Sequence, residues 1–144
     1  MINAFDEPVI LNDVLFACFI IERISRKIHQ SNLYVVSAIK SEGVTYLLEY
    51  ATTLHCQDPD QTCNEIIEEY HLKSGNVIKP EKPSDIQMGR VYSDIIWKVQ
   101  KDDLVQAVID VYKSPICKKI DDYETLAYLD PPPVLANAYY RKSF

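Results

Sequence analysis

Apolar side chains recur at helical spacing along nearly the whole chain, and this pattern limits the possible folds more than any other feature. Across residues 14–28, for example, they are separated by steps of three, four and seven, the spacing of one helix face. No segment combines alternating apolar and polar residues with an Asn-Gly or Asp-Gly turn, which a β-hairpin favours. The sequence therefore predicts an all-α fold, a compact bundle of about seven or eight short helices.

The first predicted helix is apolar on almost every side. Asn12 is a suitable N-cap, and Leu15, Phe16, Phe19 and Ile20 fill most of the circumference left by the helical stripe. A helix of this kind lies either at the centre of its own core or against a partner. Two shorter helical segments are expected next, one over residues 33–40 after a cap at Ser31 and Asn32, and one beginning just after Gly43.

The segment DPDQTCNEIIEEYHLKSG has the clearest helix boundaries in the chain. Asp58 is a suitable N-cap, and Pro59 suits the first helical position because it has no N–H to leave unpaired. Gln61 stands three residues beyond the cap, as in a capping box. Gly75 is expected to end the helix in the left-handed conformation.

The segment NVIKPEKPSD carries two prolines and mixed charge, which is typical of a semi-rigid linker. It divides the chain into an acidic helical lobe over residues 1–76, a linker over 77–85 and a second helical lobe over 86–144. In the second lobe a helix is expected after a cap at Asp102 or Asp103.

Prolines punctuate the rest of the second lobe. Ser114 and Pro115 are expected to open a helix that continues until the three prolines at 131–133 stop it, because a proline disfavours helical geometry in the residue before it. A short terminal helix is expected over residues 134–141.

Glycine content and charge exclude several classes of function. The chain has only 3 glycines, all isolated, whereas phosphate-binding loops need clustered glycines, so no nucleotide cofactor is expected. Gly89 has no evident purpose from sequence. The net charge is −6, and residues 1–75 hold 5 basic against 11 acidic side chains. Nucleic acid is therefore disfavoured as a partner. The acidic first half either faces a basic protein surface or, as is commoner, forms a solvated helix face.

The N-terminal sequence MINAFDEP has neither the basic nor the apolar region of a signal peptide. The longest apolar run, residues 14–21, has 8 residues, so no membrane association is expected. The four cysteines are then expected to stay reduced, and a cytoplasmic location follows.

His55, Cys56, Cys63 and His71 are the right residue types for zinc, but their spacing argues against a metal site. Cys63 and His71 are eight residues apart on one predicted helix, on the order of 12 Å along its axis. His55 and Cys56 are neighbours, so on a helix their side chains point about 100° apart. No metal and no catalytic residue is predicted, although a Cys/His enzyme centred on His55 and Cys56 is kept as the weakest alternative.

Tyrosine is in excess, with 10 in the chain against 4 phenylalanines. Tyrosine is favoured where one end packs and the other meets water or a partner. Five tyrosines and an arginine fall within the last 33 residues, near an acidic pair that follows two lysines. The residues predicted to bind a partner are Asp121, Asp122, Tyr123, Tyr128, Tyr139, Tyr140 and Arg141.

Residues 16–70, and above all YLLEYATTLHCQDPDQTCNEIIEEY, resemble a family of small, uncharacterised bacterial helical proteins. The shared pattern is a tyrosine-led apolar helix over residues 46–55, followed by an acidic helix with a branched pair, Ile66 and Ile67. GRVYSDII and KIDDYETLAYL resemble a region that accompanies such proteins. Together these stretches cover about two thirds of the chain. The small family members stop near the equivalent of Ser74, so the second lobe is an addition here.

Members of that family are typically encoded beside an ADP-ribosyltransferase-like toxin and are regarded as its antitoxin. The resemblance implies a non-catalytic protein that binds a cognate toxin from the adjacent gene and occludes its active site, without a cofactor. A homodimer is also compatible with the sequence. The alternative function is a DNA-binding regulator of its own operon, acting through Arg23, Arg26 and Lys27.

Overall fold

A computed structural model describes residues 1–141, and the predicted all-α fold is confirmed there. Eight α-helices and two 3-10 helices make up this part of the chain, with no β-strand and one isolated β-bridge. The 3-10 helices are Tyr123–Thr125 and Ala127–Leu129. The α-helices are α1 (Leu11–Lys27), α2 (Asn32–Glu49), α3 (Ala51–Leu54), α4 (Pro59–Glu69), α5 (Asp85–Val99), α6 (Leu104–Lys113), α7 (Pro115–Asp121) and α8 (Pro132–Arg141).

Helix α1 lies at the centre of the fold, one of the two places expected for a helix that is apolar nearly all round. It packs most extensively on α5 and also contacts α2, α3 and α4, while α6 packs against α2 and α5. The largest side chains with almost no exposure come from α1, α2, α5, α6 and α7: Tyr92, Tyr112, Ile20, Ile21, Ile24, Ile39, Leu47, Leu48, Met88, Ile95, Ile96 and Ile116.

Gly89 permits the close packing of α5 on α1. A Cβ atom at this position would lie 2.8 Å from the backbone nitrogen of Phe19 and 2.9 Å from its Cα. These are backbone atoms of α1, which cannot move aside by changing rotamer, so any side chain would force the helices apart. The glycine that sequence left unexplained is thus a point of direct helix contact.

The first helix begins at a different cap from the one predicted. Asn12 is wrong as the N-cap, because α1 starts at Leu11 and its cap is Ile10. The carboxylate of Asp13 accepts a 2.9 Å hydrogen bond from the Ile10 backbone N–H, which is one half of a capping box; the Ile10 side chain has no oxygen to form the other half. The cap at Ser31 is confirmed: its hydroxyl oxygen accepts from the N–H of Tyr34 at 3.0 Å.

Helix α2 consists of two helical segments that meet at Lys40, where φ is 60° and ψ −170°. The break lies where the predicted segment 33–40 ends, but the second segment follows directly, and Gly43 falls inside it rather than before it.

The caps at Asp58 and Pro59 are confirmed for α4, with the Asp58 carboxylate accepting from the N–H of Asp60. Gly75 is wrong as the C-terminal cap, because the helix ends at Glu69 and His71 takes the left-handed conformation with φ 52°. Gly75 instead lies against the loop after α1, where its N–H donates to the Ile28 carbonyl at 2.8 Å.

Arg26 of α1 holds the middle of the linker 77–85 in place. Arg26 donates to the carbonyl oxygens of Pro80 at 3.0 Å and Pro83 at 2.6 Å. The segments on the two sides of the linker contribute to one continuous hydrophobic cluster, through the packing of α1 on α5 and of α2 on α6. Residues 142–144 of the predicted second lobe lie outside the described residues.

The prolines at 131–133 have a different role from the predicted one. The helix that begins at Pro115 ends already at Asp121, and the two 3-10 helices follow it. Pro132 opens α8, a position that suits proline because the first helical N–H has no partner in the helix. Asp103 is confirmed as the cap of α6, where its carboxylate accepts from the N–H of Gln106.

Among the helices of residues 1–141, none has both the length and the apolar character needed to cross a lipid bilayer.

Candidate functional site

A buried network of polar side chains connects five helices at the centre of the molecule. Its members come from both sides of the linker: Glu22 from α1, Asn32 from α2, Tyr92 from α5, Tyr112 from α6, and Cys117 and Asp121 from α7.

Glu22 forms the inner end of this network and has no solvent exposure. Its Oε2 atom accepts hydrogen bonds from the Asn32 amide at 3.0 Å and from the Tyr112 hydroxyl at 3.1 Å. The Tyr112 ring stacks on that of Tyr92, with the ring centroids 4.4 Å apart. A buried carboxyl is therefore held in place by groups on α2 and α6.

Asp121 forms the outer end of the network. Its carboxylate accepts from the Tyr92 hydroxyl at 2.7 Å and from the Asn32 amide at 3.2 Å. The Cys117 sulfur lies 3.4 Å from the other Asp121 oxygen. These contacts fix the position of the short helix α7 against the core, since it has few residues of its own to do so.

Burial disfavours the ionised form of the Glu22 carboxyl in this network. Burial raises the pKa of Glu22 to about 7, the negative charge of Asp121 adds to this shift, and the positive charge of Lys79 opposes it. Within the described part of the chain, the Glu22 Oε1 and Lys79 Nζ atoms are buried and have no hydrogen-bond partner. Lys79, from the linker, thus acts on Glu22 through its charge rather than through a hydrogen bond.

A cleft of about 540 Å³ leads from the surface to Asn32, Tyr112, Cys117 and Asp121. Desolvation raises the pKa of the Cys117 thiol well above its ordinary value, so the thiolate that nucleophilic chemistry requires is disfavoured. Burial likewise raises the pKa values of Tyr92 and Tyr112. The arrangement is suited to holding five helices in register.

Asp121 and Asp122, the acidic pair predicted to bind a partner, have different surroundings in the structure. Asp121 points into the buried network, where its oxygens are already used. Asp122 is exposed, and its carboxylate accepts from the Glu124 N–H at the start of the first 3-10 helix. Asp122 is therefore the one of the two that presents its charge to solvent.

Tyr123 and Tyr128 form one aromatic pair, with ring centroids 5.7 Å apart in an edge-to-face arrangement. Both are half-buried, and the Tyr123 hydroxyl accepts from Arg26 at 3.2 Å. Burial raises the pKa of Tyr123 to about 12, which exceeds the opposing effect of Arg26. These two residues pack partly as core anchors.

Tyr139 and Tyr140 form a second aromatic pair on α8, with centroids 5.6 Å apart. Tyr140 is 54% exposed and Tyr139 half-buried. The pair forms a ridge between two clefts, one reaching Asp110 and Pro115 and the other reaching the start of α6. Arg141 is exposed beside them.

The basic residues considered for DNA contact are each bound by groups of the same chain. Arg23 pairs with Asp60 at 2.8 Å and Asp85 at 2.9 Å, which joins α1 to α4 and α5. Lys27 also reaches Asp60, at 3.4 Å, and Arg26 holds the linker. Arg23 and Lys27 are thus paired with carboxylates and Arg26 with carbonyl oxygens, which weakens the basis of the regulator hypothesis.

The histidines and cysteines considered for a zinc or catalytic site do not come together at one place in residues 1–141. His55 packs on the ring of Phe16 at 4.3 Å, and the exposed Cys56 thiol donates to the Thr52 carbonyl. Within residues 1–141 no group of three or more His, Cys, Asp or Glu side chains is placed to hold a metal ion. Burial raises the pKa of Cys63 to about 12 and that of Cys18 higher still.

The structure also brings together residues that sequence reasoning did not connect. Three tyrosines and four glutamates, from α2, from α4 and from the residue that follows each of them, line one surface groove of about 470 Å³. They are Tyr46, Tyr50, Tyr70, Glu42, Glu49, Glu65 and Glu69. Their helical spacing in the sequence was a usable signal on each helix separately. That the two stripes face one groove follows only from the tertiary packing.

Comparisons with protein-family models, with curated proteins and with solved structures found no match.

Proposed function

We propose that this chain is a non-catalytic, antitoxin-like protein. It binds a cognate toxin encoded by the adjacent gene, an ADP-ribosyltransferase-like enzyme, and neutralises it in the cytoplasm by occluding the active site. The resemblance of residues 16–70 suggests the class of partner. The observation that carries the proposal is the Tyr139–Tyr140 pair, with Tyr140 exposed, beside Arg141.

This surface has the composition of a binding hot spot. Tyrosine and arginine are enriched at the energetic centres of interfaces, since a tyrosine ring offers a large contact area and loses little conformational entropy. The edge-to-face packing of the two rings already restricts them. The Tyr140 hydroxyl is also directed at the Val99 carbonyl, 3.4 Å away. The ridge is thus partly organised before any partner arrives.

Neutralisation would follow from occupying the cleft in which such an enzyme holds a phosphate-rich cofactor. Basic residues of that cleft would meet Asp122 and the acidic first half of this chain, while the tyrosines exclude water from the contact. Charge on the rim then speeds association, and the aromatic centre slows dissociation.

Co-expression with the adjacent gene tests the proposal. We expect the two proteins to co-purify and the growth defect caused by the partner to be relieved. The double variant Tyr139→Ala/Tyr140→Ala should raise the Kd at least about 30-fold, which corresponds to about 2 kcal/mol. Asn137→Ala, an exposed change on the same helix, is the control and should leave the Kd unchanged. A chain that neither binds nor neutralises its neighbour contradicts the proposal.

A further inference from the structure

A second surface, formed by residues that precede the linker in sequence, has the features of a docking site. Helices α2 and α4 both rest on α1 and leave a groove between them. We infer that this groove, named here the acidic-aromatic groove and defined by Tyr46, Tyr50, Tyr70, Ile66, Thr45 and four glutamates, binds a basic amphipathic helix of another protein. The inference deepens the proposed function and rests on it for the identity of the partner.

Aromatic rings provide much of the groove's apolar surface. Tyr46 and Tyr50 lie with their ring centroids 5.3 Å apart, and Phe5 extends the row, 6.0 Å from Tyr50 in an edge-to-face contact. Phe5 is 48% exposed, and Tyr46 and Tyr50 are each 38% exposed. Contiguous apolar surface of this kind, with polar residues around it, is typical of interaction sites.

The charge at the edges is of one sign. Glu42 and Glu49 flank the tyrosines on α2, and Glu65 and Glu69 lie on α4. Among the described residues, no basic side chain lines the groove. Burial and the Glu65 charge raise the pKa of Tyr46, which places that carboxylate near the ring. A ligand that covers the rings therefore needs Lys or Arg along its edges.

The lining residues leave a groove whose length suits a helix as the occupant. On α2 they fall at Glu42, Thr45, Tyr46 and Glu49, the i, i+3, i+4 and i+7 positions of one face. This stripe runs for two turns, about 10 Å along the axis. A helix laid in such a groove seats apolar side chains at the same spacing and carries its charges on both flanks. A second copy of this acidic chain lacks that complementarity.

Direct binding of a designed peptide tests the groove without any assumption about the natural partner. The probe is a fluorescein-labelled 16-residue helix with leucines on one face and lysines and arginines on its flanks. Its Kd is measured by anisotropy against the full chain. The site variant is Glu42→Lys/Glu69→Lys, because both side chains are exposed and neither makes a hydrogen bond or ion pair with a described residue. The control is Glu68→Lys/Glu81→Lys, two exposed glutamates outside the groove.

We expect the wild-type chain to bind the peptide, the site variant to weaken binding at least about tenfold relative to the control, and the bound peptide to gain helical circular dichroism. Both variants change the net charge equally, so equal losses would mean nonspecific attraction and overturn the inference. Tyr46→Ala should weaken binding about fivefold, and an unchanged Kd for this variant would also overturn it. Thermal melts of every variant show that the fold is intact.

Two further measurements exclude other occupants. Spermidine at millimolar concentration tests for a small polycation, and its binding with the same sensitivity to Glu42→Lys/Glu69→Lys would overturn the inference. Sedimentation of the chain alone tests for a second copy, and self-association abolished by that variant would also overturn the inference.

If the peptide binds the groove but the adjacent gene product is not neutralised, the proposed function fails while the groove stands. If neutralisation survives Glu42→Lys/Glu69→Lys and the peptide does not bind, the groove fails alone.

Discussion

Replacing Glu22 by glutamine should change how stability depends on pH. Folding raises the pKa of this carboxyl from 4.5 to about 7, chiefly through burial. Between these values the native state holds a proton that the unfolded state releases, so the contribution of Glu22 to stability is fully present below pH 4.5 and is lost as pH rises to about 7. Integrated from pH 5 to pH 8, the loss is roughly 2–3 kcal/mol.

The glutamine amide cannot ionise, but its oxygen can still accept from Asn32 and Tyr112. We therefore expect Glu22→Gln to gain roughly 2–3 kcal/mol relative to wild type between pH 5 and pH 8, measured by urea unfolding at both values. Taking the difference between variant and wild type cancels the titration of the groups that do not interact with Glu22. Glu68→Gln, at an exposed position, is the control and should show no such pH dependence.

The competing possibility is that Lys79 dominates and holds Glu22 ionised in the native state. In that case the native pKa lies below 4.5, wild-type stability rises with pH, and the difference between Glu22→Gln and wild type changes in the opposite direction. A difference that reverses sign in this way, or that stays constant from pH 5 to pH 8, would refute the reasoning from burial.

Three other predictions concern packing and access. Gly89→Ala should destabilise the chain by roughly 1–3 kcal/mol and lower the Tm, because the new Cβ meets the α1 backbone, whereas helix propensity alone predicts a gain; an unchanged or higher Tm contradicts the close contact. Cys56 should react with a thiol reagent at once, and Cys18, Cys63 and Cys117 only after unfolding, so a count above one thiol per native chain is inconsistent with the burial described. Arg26→Met should free the linker and speed cleavage by a glutamate-specific protease after Glu81, seen by mass spectrometry; equal rates for wild type and variant argue against the tether.

The sequence was sufficient for the features that depend on local pattern. The helical stripes, the caps at Ser31, Asp58 and Asp103 and the proline start at Pro115 need only a few neighbouring residues, and the structure has them. The capping rule was wrong at the start of α1, where Ile10 and Asn12 are both possible N-cap positions. Ile10 can serve as a cap because Asp13 bonds back to it.

Tertiary features could not be read from sequence, because they join residues far apart in the chain. Asp121 looks like half of a surface pair with Asp122, yet Tyr92 and Asn32 draw it inward from 29 and 89 residues away. Gly89 has meaning only once α1 lies against it. The same holds for the acidic-aromatic groove.

The packing of α1 on α5 also has a consequence for synthesis. Leu11 precedes Asp85 by 74 residues, so α1 leaves the ribosome well before the helix that covers it. At about 5–20 residues per second this delay is roughly 4–15 s. During that time this helix, which is apolar on almost every side, lacks its principal neighbour. Nascent chains arrested before α5 is translated should therefore recruit a holding chaperone, and chains released after it should not.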